Sequence, residues 1–142
     1  MDFGFSEEQE LLRQSAVDFL GKECPISYVR QMMEDERGYS DELWKKMAEL
    51  GWMGLIYPEE FGGSGLNMVD LVVILEEMGR VACPGPFFST VCLGGLAILE
   101  AGNSEQKQKY LPGVAAGNIK ATLAVLEHEA RWVGKGVYLP AR

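Results

Sequence analysis

The sequence predicts an all-α fold, a bundle of about six helices with a short β segment at its C-terminus. Six stretches carry apolar residues at spacings of three and four, the period of a helix with one buried face. Glycine or proline separates these stretches from one another. The composition of the 142 residues, 47% hydrophobic and 24% charged, is that of one globular domain.

Cap residues and apolar spacing define the first three predicted helices. A serine followed three residues later by glutamine has the spacing of a capping box, and proline is well tolerated in a first helical turn. A glycine after the last apolar position is a common helix stop. The predicted boundary residues are Ser6, Gln9 and Gly21 for the first helix, Pro25 for the second, and Ser40 or Asp41 with Gly51 for the third.

A loop and a fourth helix are predicted next. Residues 52–66 contain several glycines and Pro58, so we expect a loop with short extended pieces. Its glycine-rich part, residues 61–65, has no preceding strand and no Lys-Ser/Thr pair, which favours a structural turn over a phosphate-binding loop. Residues 68–78 then repeat apolar side chains at three and four, as expected for a helix buried on a broad face.

Two further helices and two strands complete the prediction. Residues 87–101 read as a strongly apolar helix, in which Gly94 and Gly95 would each cost about 1 kcal/mol relative to alanine. Such a pair suggests tight packing or a ligand. A last helix, capped by Ser104, is expected to reach about residue 116. Beyond it, residues 119–126 and 132–139 have the character of strands.

Charge and composition exclude several classes of function. The net charge of −8 argues against a nucleic-acid partner. No apolar run approaches the roughly twenty residues of a membrane span, and no basic signal-peptide region is visible, so a cytoplasmic protein is expected. Cys24, Cys83 and Cys92 are expected to be reduced, buried thiols. With His128 as the only histidine, no histidine-based metal site is expected.

Residues 87–95 are the best candidate for a binding surface. They mix bulky apolar side chains with small ones, a combination that can line a slot for an acyl chain. Each methylene buried there would contribute about 0.8 kcal/mol. The alternative is that this helix is simply part of the core.

Two segments together point to a known family. One is residues 57–66 (Tyr-Pro-Glu-Glu-Phe-Gly-Gly-Ser-Gly-Leu), and the other is residues 101–112 (Ala-Gly-Asn-Ser-Glu-Gln-Lys-Gln-Lys-Tyr-Leu-Pro). In this order, between helical stretches, they resemble the N-terminal helical domain of the acyl-CoA dehydrogenases. The resemblance implies an orthogonal-type helical bundle over residues 1–118. It also implies that residues 119–142 are the first strands of a truncated middle β domain.

The resemblance implies an activity as well, the flavin-dependent α,β-dehydrogenation of an acyl-CoA thioester in fatty acid metabolism. FAD would be the cofactor and an acyl-CoA the substrate. The family's catalytic base is a glutamate in the missing part, so no catalytic residue is expected here, and the chain alone is expected to be inactive. A homo-oligomer, or a partner chain that supplies the missing domains, is expected.

The family also implies which residues meet substrate and cofactor. The helix that matches residues 87–95 helps to wall the acyl pocket, and the strand after the helical domain meets the flavin ring. This chain departs from the family's pattern beyond that strand, where Arg131 and Trp132 replace a glycine–serine pair. The implied substrate-binding residues are Ser89, Thr90 and Leu93, and the implied cofactor-binding residues are Leu123, Val125 and Leu126 (the last at a position where the family has threonine).

Two hypotheses therefore stand beside each other. In the first, the chain is the N-terminal domain of a flavin-dependent acyl-CoA dehydrogenase. In the second, it is a non-catalytic binding or scaffold subunit that has lost the flavin and the catalytic base. The leucine at position 126 favours the second hypothesis, and the end of the chain after two strands favours the first.

Overall fold

The computed structural model describes residues 4–124, and this part of the chain is helical, as predicted. The helix Phe88–Gly95 has the wider π geometry and continues directly into α5. No strand occurs in the described range, and most of the predicted β segment lies outside it. The α-helices are α1 (Glu7–Glu23), α2 (Ile26–Glu34), α3 (Asp41–Glu49), α4 (Met68–Arg80), α5 (Leu96–Ala101) and α6 (Ser104–Ala115).

Of the side-chain caps that the sequence predicts, those of α1 and α3 are present, and that of α6 is wrong by one residue. The predicted capping box at α1 is present: the Ser6 hydroxyl accepts from the Gln9 amide at 3.2 Å, and the Gln9 side chain accepts from the Ser6 amide at 3.1 Å. At α6 the predicted cap, Ser104, is wrong. Asn103 caps this helix through its side-chain oxygen, 2.9 Å from the Gln106 amide, because Ser104 is already the first helical residue.

Replacing Asn103 with alanine is expected to lower the free energy of unfolding by about 1 kcal/mol, because one amide at the start of α6 loses its acceptor. Urea unfolding followed by circular dichroism measures the change. Asn118→Ala is the matched control, since the Asn118 side chain is exposed and makes no hydrogen bond within the described residues. Equal losses in the two variants would contradict the capping role.

The loop between α3 and α4 folds back on itself instead of forming the predicted extended pieces. It contains two single turns of 3₁₀-helix, Trp52–Gly54 and Glu59–Phe61. The amides of Ser64 and Gly65 donate to the carbonyls of Gly54 and Tyr57 at 3.0 and 2.9 Å. A Cβ on Gly63 would lie 2.0 Å from the Tyr57 carbonyl oxygen, so the glycine permits this close return. The loop is thus a structural turn that positions Tyr57 in the core.

The core joins this loop to the helices around it. α1 packs along α4, and α6 packs on the 3₁₀ turns and on the π-helix. Trp44 ties α3 to the end of α6, since its indole nitrogen donates to the Gly117 carbonyl at 2.7 Å. The fully buried large side chains include Leu20, Met47, Met53, Tyr57, Leu71, Ile74, Phe87 and Leu111.

Candidate functional site

The π-helix Phe88–Gly95 divides its side chains between the core and an outer face. Thr90 and Val91 are completely buried, whereas Ser89 and Leu93 are half-buried. π-helical segments are uncommon and occur frequently at functional sites, because the wider turn alters which side chains share a face. Of the nine residues predicted to line the acyl slot, Thr90 and Val91 therefore lie on the core side of the helix, whereas Ser89 and Leu93 lie on its outer face.

Tyr57 supports this helix from the core side. Its hydroxyl donates to the Val91 carbonyl at 3.1 Å, and burial raises the pKa of the phenol. Gly95 is what makes room for the ring, since a Cβ there would lie 1.8 Å from the hydroxyl oxygen. The predicted tight packing at this glycine is therefore explained by a tyrosine of the loop between α3 and α4.

Thr90 connects the π-helix to the segment that follows α6. Its hydroxyl oxygen accepts from the Ala121 amide at 3.2 Å. A Cβ on Gly94 would lie 2.6 Å from the Ala121 Cβ and 2.8 Å from the Thr122 amide nitrogen, so the chain passes directly against this glycine. The helix implied to wall an acyl pocket is therefore in contact with the segment that leads to the implied flavin edge.

The structure locates the predicted substrate-binding residues individually. The Ser89 hydroxyl donates to the Pro86 carbonyl at 3.0 Å and stays partly accessible. Leu93 lies half-buried on the same outer face, four residues further along. Thr90 lies on the core side, where its hydroxyl holds Ala121. The outer face therefore presents Ser89 and Leu93 together, and Thr90 orders the segment behind them.

The predicted cofactor-binding residues are described only in part. Leu123 is exposed to 45% and follows the segment held by Thr90. Its backbone makes no hydrogen bond to another described residue. Val125 and Leu126 lie outside the described residues.

An apolar cavity that the sequence did not predict lies beside this segment. Its volume is about 600 Å³, and it lies between α5, α6 and residues 119–123. Leu123 and Gly94 belong to its wall, whereas Ser89, Thr90 and Leu93 do not. The spacing of small and apolar side chains on the two helices could have indicated it, had their relative position been known. The other lining residues include Ala97, Ile98, Ala101, Tyr110, Ile119 and Ala121.

The buried carboxylates of the described residues serve the packing of α1 on α4. Glu77, exposed to only 2%, accepts from Arg13 at 2.9 Å and pairs with Arg80. Burial by itself raises the pKa of Glu77, but the hydrogen bonds and charges of the two arginines outweigh this effect and hold that pKa below its ordinary value. Asp70 accepts from the Gln9 side chain at 2.9 Å. We assign neither carboxylate to catalysis, because each is engaged within the fold.

Within residues 4–124, no group of three or more His, Cys, Asp and Glu side chains could hold a metal ion. Among the same residues, no helix has the length and apolar character needed to cross a membrane.

Comparison with known proteins identifies the family. The family model described as "Acyl-CoA dehydrogenase, N-terminal domain" matches residues 6–118. Acyl-CoA dehydrogenase IpdE2 of Mycolicibacterium smegmatis is 37% identical over 115 residues, which cover 80% of this chain and 37% of that protein. Mitochondrial isovaleryl-CoA dehydrogenase of Bos taurus is 34% identical over 131 residues, covering 89% of this chain and 30% of that protein.

A solved structure gives the same assignment. The acyl-CoA dehydrogenase of Bacillus anthracis, complexed with FAD, superposes with a TM-score of 0.78 at 34% identity, covering 89% of this chain and 22% of that one. The chain spans about a third of the length of the curated relatives that it matches. It belongs to the acyl-CoA dehydrogenase family, whose N-terminal domain it matches.

Proposed function

We propose that this chain is the helical domain of a flavin-dependent acyl-CoA dehydrogenase, with an acyl-CoA thioester as the substrate of the complete enzyme. The outer face of the π-helix, with Ser89 and Leu93, forms one wall of the acyl pocket. Thr90 is part of the same site, because it positions the segment that leads to the flavin. FAD supplies the hydride acceptor of the complete enzyme, and residues 123–126 form part of its edge.

The observation that carries this proposal is the junction between Thr90 and Ala121. An acyl pocket and a flavin must adjoin for hydrogen to pass between them, and the helix that carries the proposed acyl wall is joined to the segment leading to the proposed flavin edge by a 3.2 Å hydrogen bond. Gly94 adds to the junction, because the absence of a side chain there lets the Thr122 backbone approach. The half-buried, largely apolar outer face suits an acyl chain better than a charged ligand.

The backbone after this junction is suited to a flavin ring. Leu123 offers backbone donor and acceptor groups that no other described residue occupies. Its side chain extends the apolar surface on which the edge of an aromatic ring could lie. Backbone groups can serve this role whichever side chain stands at position 126, so the leucine there removes one hydroxyl and not the whole surface.

The second hypothesis, a non-catalytic subunit, keeps one observation in its favour. Leu126 and the Arg131–Trp132 pair remove polar groups that the family uses around the flavin. Under the first hypothesis the remaining domains of the enzyme, or a partner chain that supplies them, would complete the site, and a homo-oligomer is part of the same proposal. A cytoplasmic location, which fits three free thiols, and a domain boundary near residue 118 are parts of the same proposal.

The acyl wall can be tested by titrating the ¹⁵N-labelled chain with octanoyl-CoA and, separately, with CoA alone. We expect amide shifts around Ser89 and Leu93 that require the acyl chain. Leu93→Ala is expected to weaken octanoyl-CoA binding about fivefold, since roughly 1 kcal/mol of apolar contact is lost. Shifts that are the same for CoA alone would count against an acyl wall.

A matched control separates this effect from general surface changes. Leu11 on α1 is exposed to 72% and lies outside the proposed site, so Leu11→Ala should leave octanoyl-CoA binding unchanged. Shifts confined to Ile98 and Tyr110 would place the acyl chain in the cavity beside α6 and contradict the proposed wall.

A further inference from the structure

The apolar cavity beside α6 has walls that the fold holds in place. α5 contributes Ala97 and Ala101, which are four residues apart on one helix face and have side chains too short to fill the space beside them. The segment after α6 is fixed at its start, because the Ile119 amide donates to the Gly113 carbonyl at 2.9 Å. Two residues further along, the Thr90 hydroxyl holds the same segment. The cavity, about 600 Å³ in volume, is therefore preformed and has the size of a small-molecule site.

The polar side chains of this cavity can donate hydrogen bonds that no described residue accepts. Gln106 and Tyr110 are four residues apart on one face of α6, and both line the cavity. Gln106 Oε1 accepts from the Asn103 amide at 2.9 Å, which leaves the Gln106 Nε2 donors without a partner within residues 4–124. The Tyr110 hydroxyl likewise has no partner within that range. None of the described lining residues is charged, so no carboxylate competes for these donors.

A positive charge lies next to these donors. The Nζ atom of Lys109 is 5.1 Å from the centroid of the Tyr110 ring. Lys109 forms no ion pair with any residue that the structure describes, so its charge is available to a ligand. An ammonium group beside uncharged donors favours an anion, and the apolar space behind them favours a hydrocarbon tail. The cavity is thus complementary to an anionic amphiphile.

We propose that this cavity binds a straight-chain carboxylate of medium length. Its carboxylate accepts from Gln106 Nε2 and the Tyr110 hydroxyl beside the Lys109 ammonium group, and its tail lies against α5. A thioester lacks this carboxylate, so the ligand is the free acid. The site does not depend on the proposed dehydrogenase activity, because Ser89 and Leu93 lie outside the cavity.

The test titrates the ¹⁵N-labelled chain with octanoate and, separately, with 1-octanol, which has the same tail length and no charge. We expect both ligands to shift the amides of Ile98 and Leu123 in the cavity wall. Octanoate should bind at least fivefold more tightly at low ionic strength, and added salt should reduce this advantage. Each methylene added between hexanoate and octanoate should strengthen binding by up to about fourfold.

Two variants test the recognition of the carboxylate. Gln106→Glu keeps the oxygen acceptor that serves the cap of α6 and places a negative charge among the donors, so octanoate should bind about tenfold more weakly. Lys109→Gln should weaken octanoate binding about threefold. Both variants should bind 1-octanol within about twofold of the parent chain, since the tail contacts are unchanged. Circular dichroism verifies that each variant is folded.

Matched controls separate the two parts of the proposed site. Lys45→Gln removes an exposed lysine of α3, outside the cavity, and should leave octanoate binding unchanged. Ala97→Leu fills the tail space and should weaken octanoate and 1-octanol alike.

Four results would overturn the proposal. These are equal affinities for octanoate and 1-octanol, octanoate binding that Gln106→Glu and Lys109→Gln leave unchanged, octanoate shifts centred on Ser89 and Leu93, and no saturable binding of octanoate. The octanoyl-CoA titration tests the acyl wall with a different ligand at different residues, so the two proposals fail independently.

Discussion

Gly95→Ala is expected to lower the free energy of unfolding by about 2–3 kcal/mol, a large effect for a single added methyl group. The new Cβ would lie 1.8 Å from the Tyr57 hydroxyl oxygen and 2.7 Å from the ring carbon that bears it. Tyr57 cannot withdraw without leaving the core and its bond to Val91, so the π-helix must move instead. Urea unfolding followed by tryptophan fluorescence measures the loss.

Two further variants test this explanation. Gly79→Ala in α4 is the matched control, since a Cβ there meets no atom within 4 Å, and it should gain up to about 1 kcal/mol through helix propensity. Tyr57→Phe removes the nearest atom, so the double variant should lose less stability than the two single variants combined. Strict additivity would contradict the proposed contact.

Glu77→Gln is expected to cost about 2–3 kcal/mol at pH 7, because the buried carboxylate is the shared partner of two arginines. The cost is below that of an ion pair buried at both ends, since Arg13 and Arg80 are partly exposed and regain water. Thermal and urea unfolding measure it. Glu76→Gln, on the exposed side of α4, should stay within about 0.5 kcal/mol of the parent chain.

The pH dependence of stability provides a separate check on Glu77. Its pKa is lower in the folded chain than the ordinary 4.5, so its stabilising contribution is present above that value. The contribution is lost as the pH falls through the lower folded pKa. The parent chain should therefore lose stability on acidification more steeply than Glu77→Gln. Parallel pH profiles would contradict the role assigned to this carboxylate.

Local chemistry explains why so much of the fold was predictable. Ser6 and Gln9 are three residues apart, and that spacing alone defines the capping box of α1. The same reasoning failed by one residue at α6, where Asn103 and Ser104 are both good caps and only the backbone conformation decides between them. The existence of a helix follows from the spacing of its apolar residues. Its first residue depends instead on which of two adjacent polar residues leaves the helical backbone conformation.

The candidate site was harder to predict because its contacts are distant in sequence. Gly95 was recognised as a tight position, but the partner that requires it, Tyr57, is in a loop 38 residues earlier. Thr90 stays a predicted substrate-site residue, and its contact with the Ala121 amide, 31 residues further along the chain, is one that no local pattern indicates. The cavity beside α6 depends on three segments meeting, which no single periodicity reveals.

The most direct test of the proposed function replaces the matching part of bovine isovaleryl-CoA dehydrogenase with residues 4–124 of this chain. The measurement is the anaerobic bleaching of flavin absorbance by acyl-CoA esters of increasing chain length. We expect the chimera to hold flavin and to be bleached, and Leu93→Trp to suppress bleaching by long esters more than by short ones. A folded, flavin-containing chimera that no acyl-CoA bleaches would contradict the assignment of this chain to an acyl-CoA dehydrogenase site.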